Sequence, residues 1–313
     1  MSSNHSSLLA SPLNRAGFRR VVKVPIVALP PCFTPKPIMT KIKLVILLCH
    51  FCVALATLRA AAPITPRETI RLFNGKDLST FTTWDRKHGK EDPDKVFTVV
   101  HVDGAPAIRC SGQYYGGVIT KESYANYRLV VEFRWGLLTW EPRLERTRDS
   151  GILLHCQGEE GNNSKNFDGP WIRSVEFQII EGGTGDVILV NGYDRGNPEI
   201  IAPRLKTKVT PGTKRWDPEG VVEEFTRGRI DWRRRDPEWK DVLGFRGRAE
   251  AEKPSGQWNR LEAICNGGNI TYFVNGEKVM EGWDGTFKEG RLMFQSEGSE
   301  IFYRLIELHP LKK

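Results

Sequence analysis

Ser174-Val175-Glu176-Phe177-Gln178-Ile179-Ile180-Glu181 decides the reading of this chain, because polar groups interrupt its apolar run at alternate positions. Successive side chains of a β-strand point to opposite faces, which sets like-facing neighbours roughly 7 Å apart. Val175, Phe177 and Ile179 therefore share one face, and Glu176 and Gln178 share the other. A β-bulge at Ile179-Ile180 is expected to return Glu181 to the polar face, giving acid, amide and acid in one row. Such a row suits the handling of a sugar.

The same period of two recurs along the chain, in Phe97–Val102, Tyr127–Trp135, Gly151–His155, Trp258–Cys265, Asn269–Gly276 and Gly290–Glu297. These runs are bounded by Gly, Asn or Asp, Gly267-Gly268 marks a hairpin, and no long helical period appears. The expected fold is all-β, an antiparallel jelly-roll sandwich. From about residue 194 to 255 the rhythm breaks into a charged, Pro-rich stretch, which includes Lys214–Gly220 and Arg233–Trp239. A segment of that length with several tryptophans reads as an ordered insertion at the rim of a site.

The formal charge of +8 belongs to the N-terminus. Residues 1–62 hold eight Lys and Arg and no acid, which leaves 38 basic against 38 acidic residues in the rest. A nucleic-acid partner is therefore not expected. Lys41 and Lys43 precede the apolar run from Leu44, and small-x-small signals follow at Ala54-Leu55-Ala56 and Ala60-Ala61-Ala62. Residues 39–62 read as a signal peptide too short and interrupted for a stable membrane span, and residues 1–38 as an extension from a misassigned upstream start. The remaining chain, 63–313, is expected to be one domain in a periplasmic or secreted protein. Its three cysteines, Cys110, Cys156 and Cys265, allow at most one disulfide and read as small buried hydrophobes.

Polar side chains left over by the alternation supply further candidates. Glu132 and Arg134 lie opposite Leu129, Val131, Phe133 and Trp135; Gln295 and Glu297 lie opposite Leu292 and Phe294. A solvated outer face accounts readily for Glu132 and Arg134, and less readily for repeated amides such as Gln178 and Gln295. His155 ends a strand that follows Arg148-Asp149-Ser150, and its imidazole exchanges protons near neutral pH. No zinc-type spacing of His or Cys is present.

Leu72–Leu78, Asp149–Ile152, Trp171–Glu181 with Gly185-Asp186, Gly256–Asn259, Val274–Gly276 and Phe294–Gly298 together resemble the 3-keto-disaccharide hydrolase domain family, over residues 68–311. That family is also called 3-keto-glucoside-1,2-lyase/3-keto-2-hydroxy-glucal hydratase. The resemblance implies a concanavalin-like jelly roll, an exported bacterial protein and action on glycosides whose sugar carries a ketone at C3. It also implies a link to a sugar 3-dehydrogenase that makes the ketone. Asp149 departs from the Asn that many members carry before Ser-Gly.

A C3 ketone acidifies the C2 proton, so a base can form an enolate, the C1 substituent can leave, and water can add. Under this resemblance the catalytic candidates are Glu176 as base, His155 as acid or second base, and Glu181. The sugar-binding candidates are Arg134, Glu132, Gln178, Gln295, Glu297, Arg148 and Trp171. A divalent metal held by His155, Glu176 and Glu181 is the alternative enolate stabiliser. Two other readings stand beside this one. The first is a laminarinase-type retaining glycosidase with Glu176 and Glu181 about 5–5.5 Å apart, against which Gln178 counts because such strands carry a central Asp. The second is a non-catalytic carbohydrate-binding module, since fold does not settle function.

Overall fold

The computed structural model describes residues 61–312, and every regular element among them is a β-strand. The expected extension at 1–38 and the leader up to residue 60 lie outside the described residues. No described helix is long and apolar enough to cross a membrane.

Two large antiparallel sheets form a jelly-roll sandwich. The back sheet runs Glu277–Gly282, Asn269–Val274, Asn259–Asn266, Tyr127–Thr139, Ser299–Pro310, Ala105–Cys110 and Phe97–Val102, with Ile70–Arg71 beside Ser299–Pro310. The front sheet runs Gly228–Ile230, Val187–Val190, Ser174–Ile180, Asp149–Cys156, Glu289–Ser296, Gly116–Thr120 and Phe81–Asp85, with Tyr124–Ala125 beside Glu289–Ser296. Gly267 and Gly268 make the expected hairpin between Asn266 and Asn269, and Gly267 sits at φ +57°, a conformation glycine adopts without a Cβ penalty.

The apolar alternation builds the core between the sheets. Val175, Phe177 and Ile179 of the front sheet pack in one cluster with Leu129, Val131, Phe133 and Trp135 of the back sheet. Phe177 stacks on Tyr272 with ring centres 4.0 Å apart, and Phe294 meets Tyr303 edge-on at 5.4 Å. These aromatic bridges bury large apolar areas and fix the stacking of the sheets. Cys110, Cys156 and Cys265 are buried and unpaired, packing as small hydrophobes.

The expected insertion is ordered. It forms a two-stranded ladder of Gly192–Asp194 with Asn197–Ile201 and another of Leu205–Val209 with Val221–Phe225. Gly228–Ile230 then pairs with Val187–Val190 as an edge strand of the front sheet. This last pairing carries an insertion side chain, Arg229, onto the sheet's outer face.

Candidate functional site

Directly paired antiparallel residues share a face, so the ladders map the outer face of the front sheet. Glu176 lies opposite Leu153 on one side and Ile188 on the other, and Arg229 lies opposite Ile188. Gln178 lies opposite Gly151. Met293 lies opposite both Leu153 and Ile119; two residues on, Gln295 faces Gly117, whose other neighbour is Trp84. The next row outward holds Asp149, Glu297 and Tyr115 by the same alternation. Ile119, Leu153, Cys156, Ile172 and Met293 form an apolar floor beside these polar rows, with Trp84 and Trp171 packed against it.

Gly151 makes the convergence sterically possible. A Cβ there would collide with Oε1 of Glu176 and with Oε1 of Gln295, so these two groups meet in the space a side chain would fill. Asp149 is fixed from both sides: Gln178 Nε2 donates to its Oδ1 at 2.5 Å, and Arg143 pairs with its Oδ2. Arg229 is steadied by Asp186, which accepts its Nη1 at 2.6 Å while also taking Arg235 and, at 2.8 Å, the backbone N–H of Trp232. The Oε1 atoms of Gln178 and Gln295 are buried with no hydrogen-bond partner in the protein. Buried polar atoms of this kind call for an explanation, and a ligand supplies one.

Three carboxyls in one low-dielectric patch cannot all ionise freely. Burial, reinforced by the Asp149 charge, pushes Glu176 up to about 8 against the pull of Arg229 and the Gln295 amide. Burial raises Asp149 to about 6 against the opposing charges of Arg143 and Arg229. Glu297 stands well above the usual carboxyl range through burial and the charges of Asp149 and Glu176. The Tyr115 phenol is raised by burial and by Glu297, while Arg143 opposes the shift, and its ring stacks on Trp171 at 6.0 Å. Asp149, Glu176, Gln178 and Gln295 are buried, whereas Glu297, Tyr115, Arg143 and Arg229 are partly open, so the patch is reached past the latter.

Of the residues expected from sequence, Glu176, Gln178, Gln295 and Glu297 come together here, with Trp171 on the rim. Others stand elsewhere. The front ladder keeps register through Ile179 and Ile180, so the expected bulge is missing and Glu181 stays off the polar face. Its carboxylate instead takes the Arg148 guanidinium at 2.7 Å and the N–H groups of Arg148 and Gly244, tying the insertion to the sheet end. Glu181 and Arg148 thus form a structural pair. Glu132 and Arg134 lie on the outer face of the back sheet, bonded to Arg304 and Asp103.

His155 is the plainest correction. It sits at φ +56° where the ladder slips between Arg291 and Met293, and this bulge turns the ring inward, edge-on to Tyr127. Its Nδ1 bonds the carbonyl of Phe287 at 3.0 Å, and burial lowers it to about 4, so it is neutral in the core. The proposed metal set of His155, Glu176 and Glu181 therefore does not converge. Among the described residues no group of three His, Cys, Asp or Glu side chains is placed to hold a metal ion.

Sequence reasoning missed Arg143, Arg229 and Tyr115, and it took Asp149 only as a departure from a pattern. Asp149 carried a usable signal, since it lies on the same alternation as Gly151. The arginines and Tyr115 come from loops or the insertion, where no periodicity points to them.

Residues 68–309 match one family along their length. The chain belongs to the 3-keto-alpha-glucoside-1,2-lyase-like domain family. It is thereby a carbohydrate-active protein, either an enzyme or a binding module. No curated protein sequence matches the chain. Among solved structures, a putative glycosyl hydrolase from Parabacteroides distasonis is similar at 17% identity, covering 78% of this chain and 94% of that one, with a TM-score of 0.43. The carbohydrate binding module CBM66 from Bacillus subtilis is similar at 8% identity, covering 73% and 94%, with a TM-score of 0.37. The beta-glucanase of Bacillus licheniformis is similar at 12% identity, covering 69% and 82%, with a TM-score of 0.31.

Proposed function

We propose that the protein is an exported enzyme that cleaves 3-keto-glycosides by elimination and hydration. The observation that carries this reading is the meeting of Asp149, Glu176 and Glu297 with Arg143 and Arg229 in one largely buried patch. Carboxyls whose ionisation is driven apart by their surroundings divide into acid and base. At neutral pH Asp149 is the ionised member and Glu176 the protonated one, which reverses the base assignment expected for Glu176.

The Asp149 carboxylate takes the C2 proton, and the electron pair of the C2–H bond passes toward the C3 carbonyl oxygen as an enolate. Arg229 and Arg143 supply positive charge beside it, and the unpartnered Oε1 atoms of Gln178 and Gln295 accept sugar hydroxyls. The enolate re-forms the ketone as the C1–O bond breaks, and Glu176 delivers its proton to the departing oxygen. Water then adds across C1 and C2, with the hydroxyl at C1 and a proton returned to C2. The ketone itself requires a preceding oxidation at C3, the task of a sugar 3-dehydrogenase.

Glu181 faces away from Glu176, so the pairing needed by a laminarinase-type glycosidase has no support. A binding module has no need for three carboxyls with displaced ionisation, although its sugar-holding amides would be the same. Incubation with a 3-keto-glucoside and with its unoxidised parent, each with and without chelator, separates the readings. Release of the aglycone from the keto compound alone is expected, and cleavage of the parent alone would overturn the proposal.

A further inference from the structure

Glu297, the third carboxyl of the patch, has no task in the reaction steps above. The sheet register gives its neighbours. Met293 and Phe294 lie opposite Leu153 and Ile152 on one side, and Gln295 and Ser296 lie opposite Gly117 and Gly116 on the other. Continuing both ladders outward sets Glu297 between Asp149 and Tyr115. Directly opposed residues share a face, with Cβ atoms about 4.5–5.5 Å apart. Two hydrogen bonds hold the strands together at that level: Ser296 Oγ donates to the Tyr114 carbonyl at 2.8 Å, and the Asp149 N–H donates to Ser299 Oγ at 3.3 Å.

Tyr115 is fixed on the far side of Glu297. Its ring stacks on Trp171 with centres 6.0 Å apart, and its carbonyl takes the Arg86 N–H at 2.9 Å. Tyr115 also lines a depression of about 540 Å³, so a ligand reaches this end of the row from outside. Glu297 is braced by Gly298, whose carbonyl takes the Trp140 N–H at 2.8 Å. Gly298 sits at φ +76°, and a Cβ there would stand 3.2 Å from the Arg143 side chain, which keeps that guanidinium's stem close. Among the described residues no hydrogen bond or ion pair engages the Glu297 carboxyl, whereas both oxygens of Asp149 are taken, by Gln178 and Arg143. Burial favours the protonated form of both the Glu297 carboxyl and the Tyr115 phenol.

A base, a carboxylic acid and a phenol thus stand in one row, and the last two are O–H donors. Breaking the C2–H bond at Asp149 puts negative charge on the C3 oxygen, two bonds from C2 and on the side of the next group in the row. A carboxylic acid kept neutral in a buried site can donate a hydrogen bond to such an oxyanion, beside a phenol that does the same. We propose that Glu297 and Tyr115 are the oxyanion site of the reaction, donating their O–H groups to the C3 oxygen while Asp149 takes the C2 proton. Neither donor gives up its proton. The electron pair of the C2–H bond moves onto the C3 oxygen and returns as the C1–O bond breaks. The proposal rests on the keto-glycoside reading of the patch.

The test uses 1,5-anhydroglucitol oxidised to the ketone at C3 and labelled there with carbon-13, a ligand with no C1 group to expel. Hydrogen bonds polarise the carbonyl, so its carbon resonance should move downfield on binding to wild type. Glu297→Ala and Tyr115→Phe should each shrink that shift, and Glu297→Gln, whose N–H can donate, should restore part of what alanine loses. Failure of the ligand to bind, binding without a downfield shift, or a shift that neither variant changes would overturn the proposal. On methyl 3-keto-glucosides the alanine and phenylalanine variants should each lower kcat by about 10²–10³-fold with KM nearly unchanged; unchanged kcat in both would also overturn it. A donor-dependent carbonyl shift in a protein that cleaves no keto-glycoside would remove the cleavage reading alone and leave the carbonyl site standing.

Discussion

Asp149 and Glu176 are near neighbours on one sheet face, and burial raises both carboxyls above their ordinary range, Glu176 further because the Asp149 charge adds to it. With Asp149 near 6 and Glu176 near 8, activity should climb as pH rises through about 6 and fall as it passes about 8. Asp149→Asn should remove the rising limb and Glu176→Gln the falling one, each lowering kcat/KM by about 10²–10⁴-fold; a kcat/KM–pH profile of the three proteins checks this. Glu176 and Gln178 were legible in the sequence because strict alternation puts both on one face. His155 was not, since a single extra residue in the ladder reverses the direction of its side chain, and nothing in a short apolar run marks that slip.

The insertion is anchored to the sandwich by Glu252, which is buried between the two. Trp135 Nε1 donates to its Oε1 at 2.7 Å, and its Oε2 lies 2.7 Å from the Thr184 hydroxyl. That hydroxyl also reaches the carbonyl of Ile180 at 3.1 Å and has one proton to give, so a protonated Glu252 that donates to Thr184 satisfies both contacts. Burial raises Glu252 to about 8 from an ordinary 4.5, in keeping with that arrangement. Because the folded-state value is raised, its stabilising contribution is complete below about 4.5 and is lost as pH rises through about 8. Glu252→Gln should therefore melt higher than wild type at pH 9, by about 2–4 °C for each 1 kcal/mol relieved, and the gap should close at pH 5; thermal melts at the two pH values decide it. At this scale the strands were readable from their period of two. The insertion's course was not, because Arg229 reaches the site through an edge pairing that local sequence does not encode.

The two-sheet sandwich presents the outer face of its front sheet as the site, while the core lies between the sheets and the back sheet turns an ordinary solvated surface outward. That division explains why Glu132 and Arg134 resembled site residues in sequence: alternation reports that a residue faces outward and is silent on which sheet it belongs to. It also explains how carboxyls can remain buried on an outer face, since Arg143 and Arg229 arrive from outside the strand pattern to cover and compensate them. The central claim is that the C2–H bond breaks during cleavage. The most direct measurement is proton NMR of the sugar released from a 3-keto-glucoside by the wild-type protein in deuterated water. Deuterium at C2 of that sugar is the predicted result, and a product that retains its full C2 proton would contradict the account.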